Sequence, residues 1–176
     1  VTARGDRVRR LFLLRHAKSS WDDPALADHD RPLAPRGRRA SKLICEHMRR
    51  EEISPALVLC SSATRTRQTL ELIMPALAKP EVSIERGLYG ASAATLLDRV
   101  RGIGAAASSA ILIGHQPAIR ELALELAGDG AELARVRAKF PTAALATLLF
   151  AGDWSALGPG RAELVAYVKP KELPAG

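Results

Sequence analysis

Apolar and polar positions along the chain follow two rhythms in turn. Val8 to Leu14 (VRRLFLL) becomes fully apolar and stops abruptly at Arg15-His16. Ala56 to Cys60, Ala110 to Ile113, Ala143 to Phe150 and Ala162 to Val168 are further apolar runs, and Val82 to Ile84 is a shorter one. Between them, apolar residues recur at helical spacing: from about Pro35 to Arg50, Ala63 to Leu77, Ser92 to Gly102 and Pro117 to Ala127. Ser20 to Arg31 is rich in Asp, Pro and His without a stable period and reads as a loop. Unbroken apolar strands alternating with amphipathic helices belong to a mostly parallel sheet covered on both faces. The pattern therefore predicts an α/β fold, a three-layer α/β/α sandwich. Its last two strands follow each other without a helix, which predicts one antiparallel edge strand. Residues 8–170 are expected to form a single domain, after a loose polar lead-in (1–7) and before a C-terminal tail (171–176).

Composition narrows the picture. A chain of 176 residues that is 47% hydrophobic and 26% charged can bury a core without disulfides or a structural metal, and is not disordered. Its apolar runs fall far short of the ~20 residues of a membrane span. Two cysteines, Cys45 and Cys60, are too few for a disulfide framework and read as buried free thiols. The charged opening VTARGDRVRR and the short apolar run after it do not make a signal peptide, so a reducing, cytoplasmic setting is expected. The net charge of +7 favours anionic partners. Nucleic acid is one such partner, but aromatics are only 4% and do not interleave with basic residues, which argues against a single-strand binder.

The chemistry sits where the strands stop. One run ends at Arg15-His16, a second at Ser61-Ser62 one helical turn before Arg65, and a third at Gly114-His115. In a parallel α/β sheet these stops share the carboxyl edge, where ligands bind. Two His and two Arg would then converge, with few carboxylates nearby. Guanidinium forks match phosphate oxygens, helix N-termini add free N–H groups, and a neutral imidazole among cations is a competent nucleophile. No carboxylate or third His accompanies the two histidines at ligand spacing, so a metallohydrolase fits poorly and no metal or cofactor is expected.

The same residues carry a family resemblance. LFLLRHAKS resembles the Arg-His signature of the histidine phosphatase superfamily. RHAKSSWDD…DHDRPLAPRG, SSATRTRQTLE, LIGHQP and KFPTAALATLLF are similar to its small branch related to the phosphohistidine phosphatase SixA, over roughly Leu11 to Phe150. The resemblance implies that His16 is phosphorylated in turnover, that Arg15 and Arg65 hold the phosphoryl group, and that His115 donates to its oxygens. It implies a metal-independent, ping-pong phosphatase acting on phosphohistidine in a protein or on a small phosphorylated substrate. Larger members place a Glu or Asp after the second arginine motif as general acid. Here that region reads SIERGLYGAS, where Glu85 is the nearest carboxylate and the aligned position falls near Gly87 to Tyr89. A missing acid disfavours alkoxide leaving groups.

The neighbours of these residues leave choices open. Arg65 and Arg67 are about 200° apart on a helix, so only one faces the crevice; the motif register selects Arg65. Ser19 is a candidate substrate-binding hydroxyl beside a turn role, and Lys18 follows the nucleophile closely. Trp21 lines the crevice mouth or packs, and His29 lies in the loop beside the site. Asp30 and Arg31 read as a local ion pair, with a direct substrate role for Arg31 as the alternative. His47 reads as a packing or surface residue, and Arg36, Arg38 and Arg39 as a solvated basic face. Three functions compete: a SixA-like phosphatase, a broad phosphomonoesterase or mutase relative using Glu85 as acid, and a basic nucleic-acid-binding protein.

Overall fold

The computed structural model describes residues 7–175; most of the expected lead-in, residues 1–6, and the terminal Gly176 lie outside the described residues. Its strands are β1 (Val8–Arg15), β2 (Leu57–Ser61), β3 (Glu81–Glu85), β4 (Ser109–Gly114), β5 (Ala127–Asp129), β6 (Leu145–Ala151) and β7 (Ala162–Val168). Its α-helices are α1 (Pro35–Arg50), α2 (Thr64–Ile73), α3 (Ala93–Arg101), α4 (Ala118–Leu126) and α5 (Leu133–Ala138). The strands form one mixed sheet in the order β3-β2-β4-β1-β6-β7-β5.

Alternation along the apolar strands explains the layers. Leu11 and Leu13 of β1, with Leu59 of β2 and Leu112 of β4, pack on the side of α3, α4 and α5. Phe12 and Leu14, with Val58, Cys60, Ile111 and Ile113, pack on the side of α1 and α2. Side chains of successive strand residues point to opposite faces, so a strand buried on both sides must be apolar at every position. Helix α1 shows the matching stripe: Gly37, Ser41, Ile44, Cys45 and Met48 are buried while its arginines face outward. Both cysteines are free and buried. Burial pushes the Cys60 thiol up to about 12, which leaves it unreactive.

The structure differs locally from the sequence expectation in four places. Helix α2 ends at Ile73 rather than Leu77, because Pro75 has no N–H to continue the ladder and the chain tightens into a 3-10 turn, Met74–Ala76. The antiparallel strand is present but is not at an edge. β6 runs antiparallel to both β1 and β7, and the short β5 lies beyond β7 in parallel with it. β5 spans residues that read as a Gly-rich turn, and α5 is only six residues long; both are too short to impose a period on the sequence. The segment expected to be a tail is also tied down: Lys171 and Glu172 lie in a 3-10 turn, and the Glu172 carboxylate is paired with Arg135.

Among the described residues, no helix is long and apolar enough to cross a membrane.

Candidate active site

Parallel pairing sets three strand ends level. Arg15, the last residue of β1, is in register with Gly114, the last of β4, and Cys60 of β2 pairs with Ile113. His16, Ser61 and His115 therefore share one edge, and the rings of His16 and His115 lie 5.2 Å apart. The backbone around His16 is clamped from both sides. Its N–H donates to the Gly114 carbonyl (3.0 Å), and the Ala143 N–H donates to the carbonyls of Arg15 (3.1 Å) and His16 (3.0 Å). The Ala17 N–H donates to Thr69 Oγ1 (3.0 Å), whose hydroxyl donates to the Arg65 carbonyl (2.7 Å), so α2 is tied to the same loop. Helix α1 holds the next residue. A Cβ on Gly37 would lie 2.1 Å from the Lys18 carbonyl oxygen, so this close approach of backbones is open only to glycine.

Hydrogen bonding decides which nitrogen of His16 carries its proton. His16 Nδ1 is 2.7 Å from the Ala17 carbonyl, which can only accept. The ring proton of neutral His16 is thus at Nδ1, and the lone pair is at Nε2. His115 Nε2 is 2.7 Å from Ser61 Oγ, which already accepts from the Ala63 N–H at 3.4 Å. In the His115 tautomer with its proton at Nδ1, the ring nitrogen without a protein partner, the Ser61 hydroxyl donates to Nε2. Burial is the main cause that lowers His16 to about 3; His115, Arg65 and Arg15 push the same way against the Ala17 carbonyl. Burial likewise lowers His115 to about 4, aided by Arg65 and opposed by Asp28. Both rings are neutral at pH 7.

The arginines complete the set. Arg65 is buried and Arg67 is exposed, as two positions on one helix require. Arg15 is half-buried, and its Nη1 donates to the Phe140 carbonyl (3.0 Å). Arg15 Nε, Arg65 Nε and His115 Nδ1 are the buried side-chain nitrogens left without a hydrogen-bond partner among the described residues. Leaving a buried donor unpaired costs about 1–3 kcal/mol each, so three donors in one site point to an acceptor that the protein itself does not supply.

Asp28 is a residue the sequence reading missed. Arg65 donates to its carbonyl (2.7 Å) and to Oδ2 (3.0 Å), and the Tyr89 hydroxyl donates to Oδ2 (2.6 Å). Arg31 donates to Oδ1 from Nε (3.2 Å) and Nη2 (3.1 Å). Tyr89 first, then Arg65, hold this carboxyl well below the usual carboxylate range against the cost of burial. The expected Asp30–Arg31 pair is not formed. Arg31 pairs with Asp28, three residues back on the same 3-10 turn, while Asp30 faces His29. Arg31 also donates to Ser19 Oγ (2.9 Å) and lies 3.5 Å over the exposed Trp21 ring. His29 contacts Ser62 Oγ (2.8 Å) and packs edge-on against Tyr89, whose own ring meets His115. Glu85 is engaged elsewhere: Arg99 grips both of its oxygens (2.8 and 2.9 Å) and holds its pKa down. Asp28 and Tyr89 had no period to mark them, although both fall inside the quoted motif strings.

The chain also compares closely with known proteins. The sequence profile of the histidine phosphatase superfamily (branch 1) matches residues 11–99. The Mycobacterium tuberculosis protein Rv1276c, itself uncharacterised, is 40% identical over 162 residues, covering 90% of this chain and all of that one. The chain belongs to the histidine phosphatase superfamily. Within it, the chain falls with the SixA-like branch. A Nakamurella multipartita protein provisionally named phosphohistidine phosphatase SixA is 32% identical, with a TM-score of 0.82 over 94% of this chain and 98% of that one. A similarly named Agrobacterium tumefaciens protein is 28% identical, with a TM-score of 0.80 over 92% and 98%.

Proposed function

We propose that the protein is a phosphatase that works through a phosphohistidine on His16, without a metal, and that it takes phosphohistidine or another phosphorylated group with a good leaving group. The observation that carries this is the trio of unpartnered buried nitrogens on Arg15, Arg65 and His115, beside an imidazole whose free lone pair is at Nε2. In this reading His16 Nε2 attacks phosphorus in line. The bond from phosphorus to the leaving nitrogen or oxygen breaks, and its electron pair departs with the leaving group. A water then attacks the phosphohistidine and loses a proton; inorganic phosphate leaves, and the pair returns to Nε2. Arg15, Arg65 and His115 stabilise the charge on the transferring oxygens, which is the main task of a protein in phosphoryl transfer. Ser19 enters as the hydroxyl that steadies Arg31.

The leaving group follows from the acids. Glu85 is ionised and turned to Arg99, and the carboxyl of Asp28 is held ionised by Tyr89 and Arg65. Neither suits the role of proton donor, which favours a phosphoramidate over an alkyl phosphate ester and weakens the mutase alternative. The test is rapid acid-free quenching with a radiolabelled phosphohistidine protein, with chelator present. The expected result is a covalent, acid-labile, alkali-stable label on wild type and none on His16→Ala. Activity is expected to fall by at least about 10⁴-fold in that variant with its circular dichroism unchanged. A label that survives His16→Ala would sink the assignment.

A further inference from the structure

On the other side of β1 from His115, the carboxyl edge carries a second concavity. It is a groove of about 390 Å³ to which Arg15, Lys18, Arg36, Lys139, Lys169 and Lys171 contribute six cations. No carboxylate lines it. None of the six forms an ion pair among the described residues, although the chain has acids to spare. Glu172, which follows Lys171, is turned away to Arg135, and its Oε1 accepts the Lys169 N–H (3.0 Å). Six like charges in one concavity repel each other, and this cost falls when an anion enters.

The backbone beneath the groove is held in place. Lys18 is fixed by the glycine contact with α1, and its carbonyl accepts the Ala34 N–H (2.9 Å). Lys139 has its carbonyl bonded by the Tyr167 hydroxyl. Arg15 belongs to both places. One arm is anchored on the Phe140 carbonyl, its Nε is unpartnered, and its charge acts on His16. A single guanidinium therefore joins the phosphoryl site to the groove.

We propose that this groove is a second phosphate subsite, so that the preferred substrate is a small molecule carrying another phosphate group beyond the one transferred. Concave, half-open sites of this size take ligands of the small-metabolite class, and multivalent cation sets favour phosphate over single carboxylates. The proposal deepens the phosphatase reading and rests on it for the position of the first phosphate.

Calorimetric binding of inorganic orthophosphate and tripolyphosphate tests it without depending on turnover. Wild type is expected to bind tripolyphosphate at least about tenfold more tightly than orthophosphate. The triple variant Lys139→Gln/Lys169→Gln/Lys171→Gln loses this advantage and keeps its orthophosphate affinity within about threefold. A control variant of the same net charge, Lys42→Gln/Arg50→Gln/Arg86→Gln, keeps the advantage, because these exposed residues lie outside the groove. Equal affinity for the two anions in wild type, or equal losses in both triple variants, overturns the subsite. An Asp hexapeptide that binds as tightly as tripolyphosphate through the same three lysines also overturns it, in favour of a carboxylate partner. Arg65→Ala separates the two readings. If that variant binds orthophosphate as wild type does, the phosphoryl site is misplaced while the groove stands.

Discussion

The floor of the site and the loop above it are held in different ways. The floor (Arg15, His16, Ser61, His115) hangs from strand ends, and its residues are positioned by backbone hydrogen bonds among β1, β2, β4 and β6. The loop from Ser20 to Arg31 has no such ladder. It is held by side chains: Asp28 on Arg65 and Tyr89, and Arg31 on Asp28 and Ser19. A backbone ladder fixes His16 whatever the ligand. A carboxylate clasp competes with an anionic ligand, because the guanidinium that holds Asp28 is also the one proposed to hold phosphate. Geometry comes from the floor, and charge balance from the loop.

Three measurements can break or sharpen that contrast. The largest effect is expected from the cation that the loop clasps over the floor: Arg65→Ala should lower kcat/KM by about 10²–10³-fold, as loss of one oxyanion donor does, while Arg67→Ala leaves it unchanged. Equal losses would mean that α2 presents a different face. A smaller effect of opposite sign belongs to the loop. Asp28→Asn removes the negative charge beside Arg65 while keeping an acceptor, and should tighten orthophosphate binding by about tenfold in calorimetry. Weakened binding would show that Asp28 serves mainly to orient the guanidinium. The smallest expectation is a flat response: in NMR titrations the ring resonances of His16 and His115 should not move between pH 8 and pH 5, since burial lowers them to about 3 and 4. The sign of the linked stability follows. Below the ordinary histidine value near 6.5 the unfolded chain takes up protons that the folded one refuses, so the contribution of both rings to stability is complete above about pH 6.5. It is lost as pH falls toward 4 and 3. A midpoint near 6.5 for either ring would remove it from the buried floor.

The floor was legible in the sequence, and the clasp was not. The middles of β1, β2 and β4 (residues 11–14, 57–60 and 110–113) are apolar at every position, so the strand ends could be placed, and with them His16 and His115. Arg65 followed from helical geometry once Arg67 was its rival. Asp28 is one of four aspartates between Trp21 and Arg31, and nothing local separates it from Asp22, Asp23 and Asp30. Its choice as partner depends on where α2 and Tyr89 sit in space. Arg31 likewise had an adjacent acid in sequence but pairs with the one a turn away, because a 3-10 turn brings residues three apart to the same side. Lys139, Lys169 and Lys171 carry no common signal in the sequence, because they come from two separate segments.

The reversed direction of β6 has a topological consequence. Had that strand run with its neighbours, the link entering it would open at the opposite end of the sheet, away from the chemistry. Because it runs the other way, the approach to β6 arrives beside His16, at the edge where β7 also ends. One change of chain sense thus brings an extra connection, the one that carries Lys139, to the rim that holds the imidazole.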